Sequence, residues 1–171
     1  SEIIQDHILD SLFIANFLPK KGRFVDLGSG AGFPGFVIAA MRPSRKVVLV
    51  ESRRKRANFL KAVARKTKVG NIRVFEGRAE SFAKSTISSE RYDIATTRAT
   101  WNIRHFLVLC GPLLKDGGQA VTMQGPKIVT KGKSSAESRF PADYKPAAVK
   151  KYHLPFTNKT RYLLTYKKCF T

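Results

Sequence analysis

Apolar residues along this chain change period several times, and each change marks an element. Ile3, Ile4, His7, Ile8, Leu12, Phe13, Phe17 and Leu18 recur every three or four residues, which predicts an amphipathic helix over 1–18, ended by Pro19. The pattern then becomes a short continuous run, Phe24-Val25-Asp26-Leu27, read as a buried strand. A glycine-rich loop follows and leads into a helix beginning at Pro34, a residue suited to a first helical turn. Lys46–Val50, Asn71–Phe75, Tyr92–Thr97 and Gly118–Met123 read as four more strands. Helices are predicted over about 52–67 and over Trp101–Leu114, with a turn at Lys115-Asp116-Gly117. Strands alternating with helices imply an α/β fold, a mostly parallel sheet with right-handed crossovers and helices on both faces.

The stretch Gly125–Pro146 is rich in Lys, Ser, Gly and Pro and reads as a surface loop. Beyond it, Val149–Leu154 and Arg161–Tyr166 read as two strands closing the sheet as an antiparallel C-terminal hairpin, which brings the expected sheet to seven strands. One domain over 1–171 is expected, with the helix at 1–18 preceding a core at 22–171; 171 residues suffice for one full α/β core.

Charge changes this picture more than composition does. Thirty-two Lys and Arg against twelve Asp and Glu leave a formal charge of +20, which an anionic partner would offset. Cys110 and Cys169 form no C-x-x-C pair, and His7, His105 and His153 share no ligand spacing and read as helix or surface residues, so no metal is expected. No apolar run is long enough to span a bilayer and no signal-like segment opens the chain, so a soluble, cytoplasmic monomer away from membranes is expected.

The strand-glycine-helix passage carries the chemistry. Gly28, Gly30 and Gly32 admit positive φ and let a ligand approach the backbone. Gly30 to Gly35 also fits the dinucleotide pattern G-x-G-x-x-G, with Glu51 about twenty residues on, where a ribose-binding acid belongs. Asp26, at the strand end, would repel a pyrophosphate but favour the ammonium and sulfonium of S-adenosylmethionine. Glu76 and Glu80 follow the third strand, where an acidic side chain and backbone N–H groups can address an adenine edge. Arg98 projects from the end of the fourth strand. Arg53, Arg54, Lys55 and Arg56 crowd a helix start, an unfavourable place for cations without a nearby anion. With Lys127 and Lys131 they are candidate RNA contacts, and Trp101 is a candidate for stacking on a base.

These residues resemble the glucose-inhibited division protein B (RsmG-type) family. His7-Ile8-Leu9-Asp10-Ser11 is similar to its H-x-L-D-S helix, and Asp26 to Gly35 to its D-x-G-[ST]-G-x-G-x-P-G loop; Arg42-Pro43, Glu51-Ser52, Lys55-Arg56, Phe59-Leu60, Asn71-Ile72, Arg78-Ala79-Glu80 and Arg98-Ala99 follow in order. The resemblance implies a Rossmann-like class I methyltransferase fold and transfer of a methyl group from S-adenosyl-L-methionine to guanine N7 in 16S ribosomal RNA, alone or within the small subunit. It implies cofactor contacts at Gly28, Phe33, Ala79, Glu80 and Arg98, added to Asp26, Gly30, Gly32 and Glu51 from the residue reading. Arg98 is the one catalytic candidate, as a positioning group, because N7 holds no proton and needs no general base. The chain departs from the family in three places: only six residues precede the H-x-L-D-S segment, Gln124 stands where a Lys is common, and Ser85–Glu90 reads as an insertion. Two other readings stay open: an NADP-dependent oxidoreductase with Arg53 and Arg54 on the 2′-phosphate, and a non-catalytic RNA-binding module on the same fold.

Overall fold

Apolar runs bounded by glycine and charged residues become adjacent parallel strands, because the central runs are buried on both faces and need a helix on either side. A computed structural model describes residues 2–85, 90–98, 101–126, 140–155, 157 and 159–170, with the backbone alone for 2–5. In chain order the elements are α1 (Glu2–Phe17), β1 (Phe24–Leu27), α2 (Gly35–Met41), β2 (Val47–Glu51), α3 (Arg54–Thr67), β3 (Ile72–Glu76), α4 (Ala79–Lys84), β4 (Tyr92–Arg98), α5 (Ile103–Cys110), β5 (Leu114–Gln124), β6 (Tyr144–His153) and β7 (Thr160–Lys168). The strands form one seven-stranded sheet in the order β3-β2-β1-β4-β5-β7-β6. β1 to β5 pair in parallel, and β7 pairs antiparallel with both β5 and β6. This is the expected mostly parallel, Rossmann-like sheet with a C-terminal hairpin.

Alternation along the strands divides the core in two. Val25, Leu27, Val48, Val50, Ala95 and Ala120 face α4 and α5, where they pack with Phe82, Phe106 and Leu107. Phe24, Leu49, Ile94, Val121 and Met123 face the other way, toward Ile14 of α1, Ile38 of α2 and Leu60 of α3. Fully burying a Leu, Ile or Phe side chain contributes roughly 1.5–3 kcal/mol, so the two layers supply the main driving force. Asn71 fastens the corner between α2 and β2. Its Nδ2 lies within 3.0 Å of the carbonyls of Ala39 and Arg42 and 2.8 Å from that of Arg45.

α1 is held by the far end of the chain. The Tyr152 hydroxyl donates to Asp10 Oδ1, and Lys159 pairs with Asp6. Phe13 stacks on Tyr152 with centroids 4.3 Å apart. Burial raises the Asp10 carboxyl above its ordinary value, partly countered by the Tyr152 bond. Tyr152→Phe keeps the stack but leaves a 4% exposed carboxyl short of its donor. We expect a loss of about 1–3 kcal/mol, measurable as a lower urea midpoint with an unchanged slope.

Several expected boundaries move. α4 is a helix in a stretch to which the sequence pattern assigned no element. α5 spans Ile103–Cys110 rather than Trp101–Leu114, because Gly111-Pro112 interrupts it and Leu114 joins β5. The expected turn at Lys115-Asp116-Gly117 lies inside β5, as a bulge between the Tyr92–Leu114 and Ile94–Gln119 pairs, with Gly117 at φ 75°. The expected loop at Gly125–Pro146 ends earlier, since Tyr144 to Pro146 already belong to β6; residues 127–139 of that loop lie outside the described residues. Pro146 is tolerated there because β6 is an edge strand.

Candidate functional site

The glycine loop lies at the carboxyl end of β1, in the middle of the parallel part of the sheet, where open α/β sheets bind ligands. Gly28, Gly30 and Gly32 have φ of 68°, 58° and 98°, a region that residues with a Cβ avoid. The loop is pinned on both sides. Ser29 N–H donates to the Val50 carbonyl at 3.0 Å, Ser29 Oγ to the Asp26 carbonyl at 2.8 Å, and Phe36 N–H to the Gly32 carbonyl at 2.7 Å. A Cβ at Gly32 would meet Leu60 at 2.9 Å, whereas one at Gly30 would meet only the Gly28 carbonyl, at 3.9 Å. The backbone at Gly30 is therefore open to close approach, and that at Gly32 is sealed against α3.

Two acids order the loop. Glu51, 4% exposed at the end of β2, accepts Gly30 N–H on Oε2 and Arg53 N–H on Oε1, both at 2.8 Å. Each carboxylate oxygen keeps a second lone pair, so Glu51 can still take a ribose hydroxyl. Asp26 is placed differently from the expectation of a carboxylate facing the ligand. It is 1% exposed, lies beneath the loop and accepts Gly35 N–H at 3.1 Å. Burial pushes its carboxyl up to about 7, against the lowering effect of the Gly35 N–H bond, the nearby Ser29 hydroxyl and the Arg98 charge.

Beside the loop is a cleft of about 240 Å³ lined by Gly28, Val50, Ser52, Gly77, Arg78, Ala79, Glu80 and Trp101. It brings together three expected cofactor positions, Gly28 from the connection after β1 and Ala79 and Glu80 from the connection after β3, far apart in sequence. Val50, Ala79 and Trp101 supply apolar surface and Glu80 an acceptor, which suits a flat nitrogenous ring. Trp101 thus lines this cleft and also packs against the α4–α5 core layer. A hollow of about 400 Å³ lies at the opposite, amino ends of the strands, around Arg23, Lys46, Asn71 and Arg73. It touches none of the expected site residues.

Phe33 and Arg98 meet in a neighbouring group that residue patterns did not reveal. The Arg98 guanidinium lies 6.0 Å from the Phe33 ring centroid and 2.8 Å, Nη1 to Nδ1, from His7. The His7 ring is 5.7 Å from that of Phe33. His7 is therefore part of the loop's surroundings rather than a plain helix-surface residue; only the H-x-L-D-S resemblance pointed to it. His105 is exposed, near Glu80 at 3.8 Å.

Arg53, Arg54, Lys55 and Arg56 are all exposed at the start of α3, whose first turn has no acidic residue. Arg54 lies 3.9 Å from Glu76, which also pairs with Lys61. Lys127 and Lys131 lie outside the described residues. Gln124 turns its amide inward, donating to Thr122 Oγ1 at 3.0 Å. Among the described residues no group of His, Cys, Asp and Glu could hold a metal, and no helix is long and apolar enough to cross a membrane.

Comparison with known proteins agrees with this architecture. TrmN from Thermus thermophilus superposes with a TM-score of 0.69 at 15% identity, covering 94% of this chain and 48% of that one. A mutant of MtNAS in complex with S-adenosylmethionine superposes at 0.68 and 16% identity, covering 96% and 62%. At such identities the likeness is one of fold. Sequence goes further. Ribosomal RNA small subunit methyltransferase G of Clostridium novyi (strain NT) is 37% identical over 129 residues, 74% of this chain and 53% of that protein. Its counterpart in Alkaliphilus oremlandii (strain OhILAs) is 31% identical over 169 residues, 98% of this chain and 71% of its own length. The match thus spans only about half of the first relative, 53%. A family model described as GidB, rRNA small subunit methyltransferase G, matches residues 1–162, and the chain belongs to that family.

Proposed function

We propose that this chain transfers a methyl group from S-adenosyl-L-methionine to N7 of a guanine in 16S ribosomal RNA, acting in the cytoplasm as a single domain over 1–171 and as a monomer. The observation that carries the reading is the site at the carboxyl ends of β1, β2 and β3 in a chain of the GidB family: an open backbone at Gly30, a ribose acceptor at Glu51 and a flat apolar cleft ending at Glu80. These features fit an adenosyl group. When bound, S-adenosylmethionine would supply an electrophilic methyl open to attack by the N7 lone pair, its C–S bond breaking as the N–C bond forms and the neutral thioether, S-adenosylhomocysteine, leaving.

The chain's own residues then have three tasks. Glu51 and the loop amides orient the ribose, Val50, Ala79 and Trp101 exclude water from the heterocycle, and Arg98 with Phe33 fixes the mouth of the loop. No residue has to remove a proton, so positioning supplies the acceleration. The exposed cations Arg53, Arg54, Lys55 and Arg56, with Lys127 and Lys131, serve the RNA backbone.

Purified chain with methyl-labelled S-adenosylmethionine and small subunits lacking the modification is expected to place label in 7-methylguanosine, read by nucleoside mass spectrometry. Cofactor binding without RNA labelling would refute the substrate, and preferential binding of NADPH would refute the cofactor. Unchanged methyl transfer after Arg53→Glu/Arg54→Glu/Arg56→Glu would remove those three from the RNA surface; an affinity loss of at least tenfold, steeper at low salt, is expected.

A further inference from the structure

We propose that His7 is a positioning residue for Arg98, its Nδ1 lone pair accepting a guanidinium N–H and so aiming Arg98 at the mouth of the glycine loop. The proposal rests on the reading of Arg98 as a cofactor contact. It starts from one distance, 2.8 Å between His7 Nδ1 and Arg98 Nη1. A guanidinium has five donors and no acceptor, so the bond has one possible direction. Nδ1 must carry the lone pair, which makes His7 neutral with its proton on Nε2.

His7 contributes to holding Arg98. Arg98 is the last residue of β4, half-exposed, and its long side chain has many rotamers available. His7 is one of its contacts and comes from a different element, α1, whose position the hairpin fixes through Tyr152–Asp10 and Lys159–Asp6. Both His7 and Arg98 lie against Phe33, with the ring distances given above, so three side chains from α1, the glycine loop and β4 define one geometry.

The charged and titratable groups around His7 are Asp6 and Asp10 on α1, Arg98 on β4 and Arg161 on β7. Burial, then Arg98, lower the His7 value below its ordinary 6.5, while Asp10 and Asp6 oppose the shift and Arg161 adds to it. Protonation would turn the acceptor into a donor facing a donor and set a second cation against the guanidinium. Acid therefore releases Arg98, and the effect appears below the ordinary histidine range rather than within it.

The test uses the whole chain as wild type, His7→Asn and His7→Phe. Asn carries an acceptor oxygen near the place of Nδ1 and does not titrate; Phe keeps a ring against Phe33 and has no acceptor. In wild type, nitrogen NMR of labelled histidine near neutral pH should show His7 as the Nε2–H tautomer. S-adenosylmethionine binding by calorimetry should weaken about tenfold in His7→Phe, the scale of one charge-assisted hydrogen bond. In His7→Asn it should stay within about threefold of wild type and lose the weakening of affinity expected of wild type at acidity below the ordinary histidine range. Unfolding midpoints close to wild type would confirm that both variants fold.

An Nδ1–H tautomer overturns the proposal on wild type alone. So does wild-type affinity and turnover in His7→Phe, or equal impairment in both variants. A wild type that binds S-adenosylmethionine but methylates no ribosomal guanine refutes the proposed substrate, and the affinity series still decides His7. A wild type that binds no S-adenosylmethionine removes both.

Discussion

Gly35→Ala is expected to lower the unfolding free energy by about 3 kcal/mol and to abolish measurable cofactor binding. Gly35 is the first residue of α2, and its Cβ would lie 2.3 Å from Leu49 Cδ2 and 2.8 Å from Asp26 Oδ2. Neither neighbour can retreat. Leu49 is fully buried in the central part of the sheet, and Asp26 is 1% exposed beneath the loop. The extra methyl must push α2 off β1 and β2, breaking the Gly35–Asp26 bond that holds the loop. Gly70→Ala is the matched control, since its Cβ would meet nothing within 4 Å, and a change within about 0.5 kcal/mol is expected. Urea unfolding of both variants decides the matter; equal midpoints would show that α2 tolerates the displacement.

Asp26→Asn is expected to stabilise the free protein at about pH 8 while weakening S-adenosylmethionine binding more than tenfold. Burial raises the Asp26 carboxyl from 3.8 to about 7. A group with a raised folded value holds its proton more tightly when folded, so stability is full below the unfolded value and declines as pH rises toward about 7. By linkage the loss reaches at most about 4 kcal/mol. Asn keeps an acceptor for Gly35 N–H and cannot ionise, so a gain of about 2 kcal/mol at pH 8, vanishing near pH 4, is expected from thermal or urea unfolding.

Binding of a cation over the loop, above the buried Asp26, carries the opposite sign. A cationic cofactor favours the ionised carboxylate, so wild-type affinity should rise with pH through about 7, with a proton released on binding, and the variant should lose that dependence. Its pH range lies above that of His7, so the two variants separate the two limbs. Equal cofactor affinity in wild type and Asp26→Asn would confine Asp26 to holding the loop.

Much of the sheet was legible because its signals are local. The run Phe24–Leu27 reads as a strand and forms one over the same residues, and the paired apolar runs near the C-terminus form the expected hairpin. α4 was not legible: it has six residues, of which only Ala79 and Phe82 are buried, too few turns to show a period. Helix α5 was overread because Leu113 and Leu114 continue an apolar run that Gly111-Pro112 interrupts. In the site, three glycines announced the loop's backbone, but nothing local says which side of the loop Asp26 takes; packing against α2 decides that. His7 and Arg98 stand 91 residues apart, and their meeting is set by the tertiary structure alone.

The bonds from Asp10 to Tyr152 and from Asp6 to Lys159 bridge 142 and 153 residues. As the chain emerges from the ribosome, α1 appears well before these two partners. Until β6 and β7 are in place, a carboxyl destined for burial has no donor, and the helix that carries His7 can settle on α2 but not lock. The order of synthesis therefore leaves the surroundings of the glycine loop unfastened until the hairpin has formed.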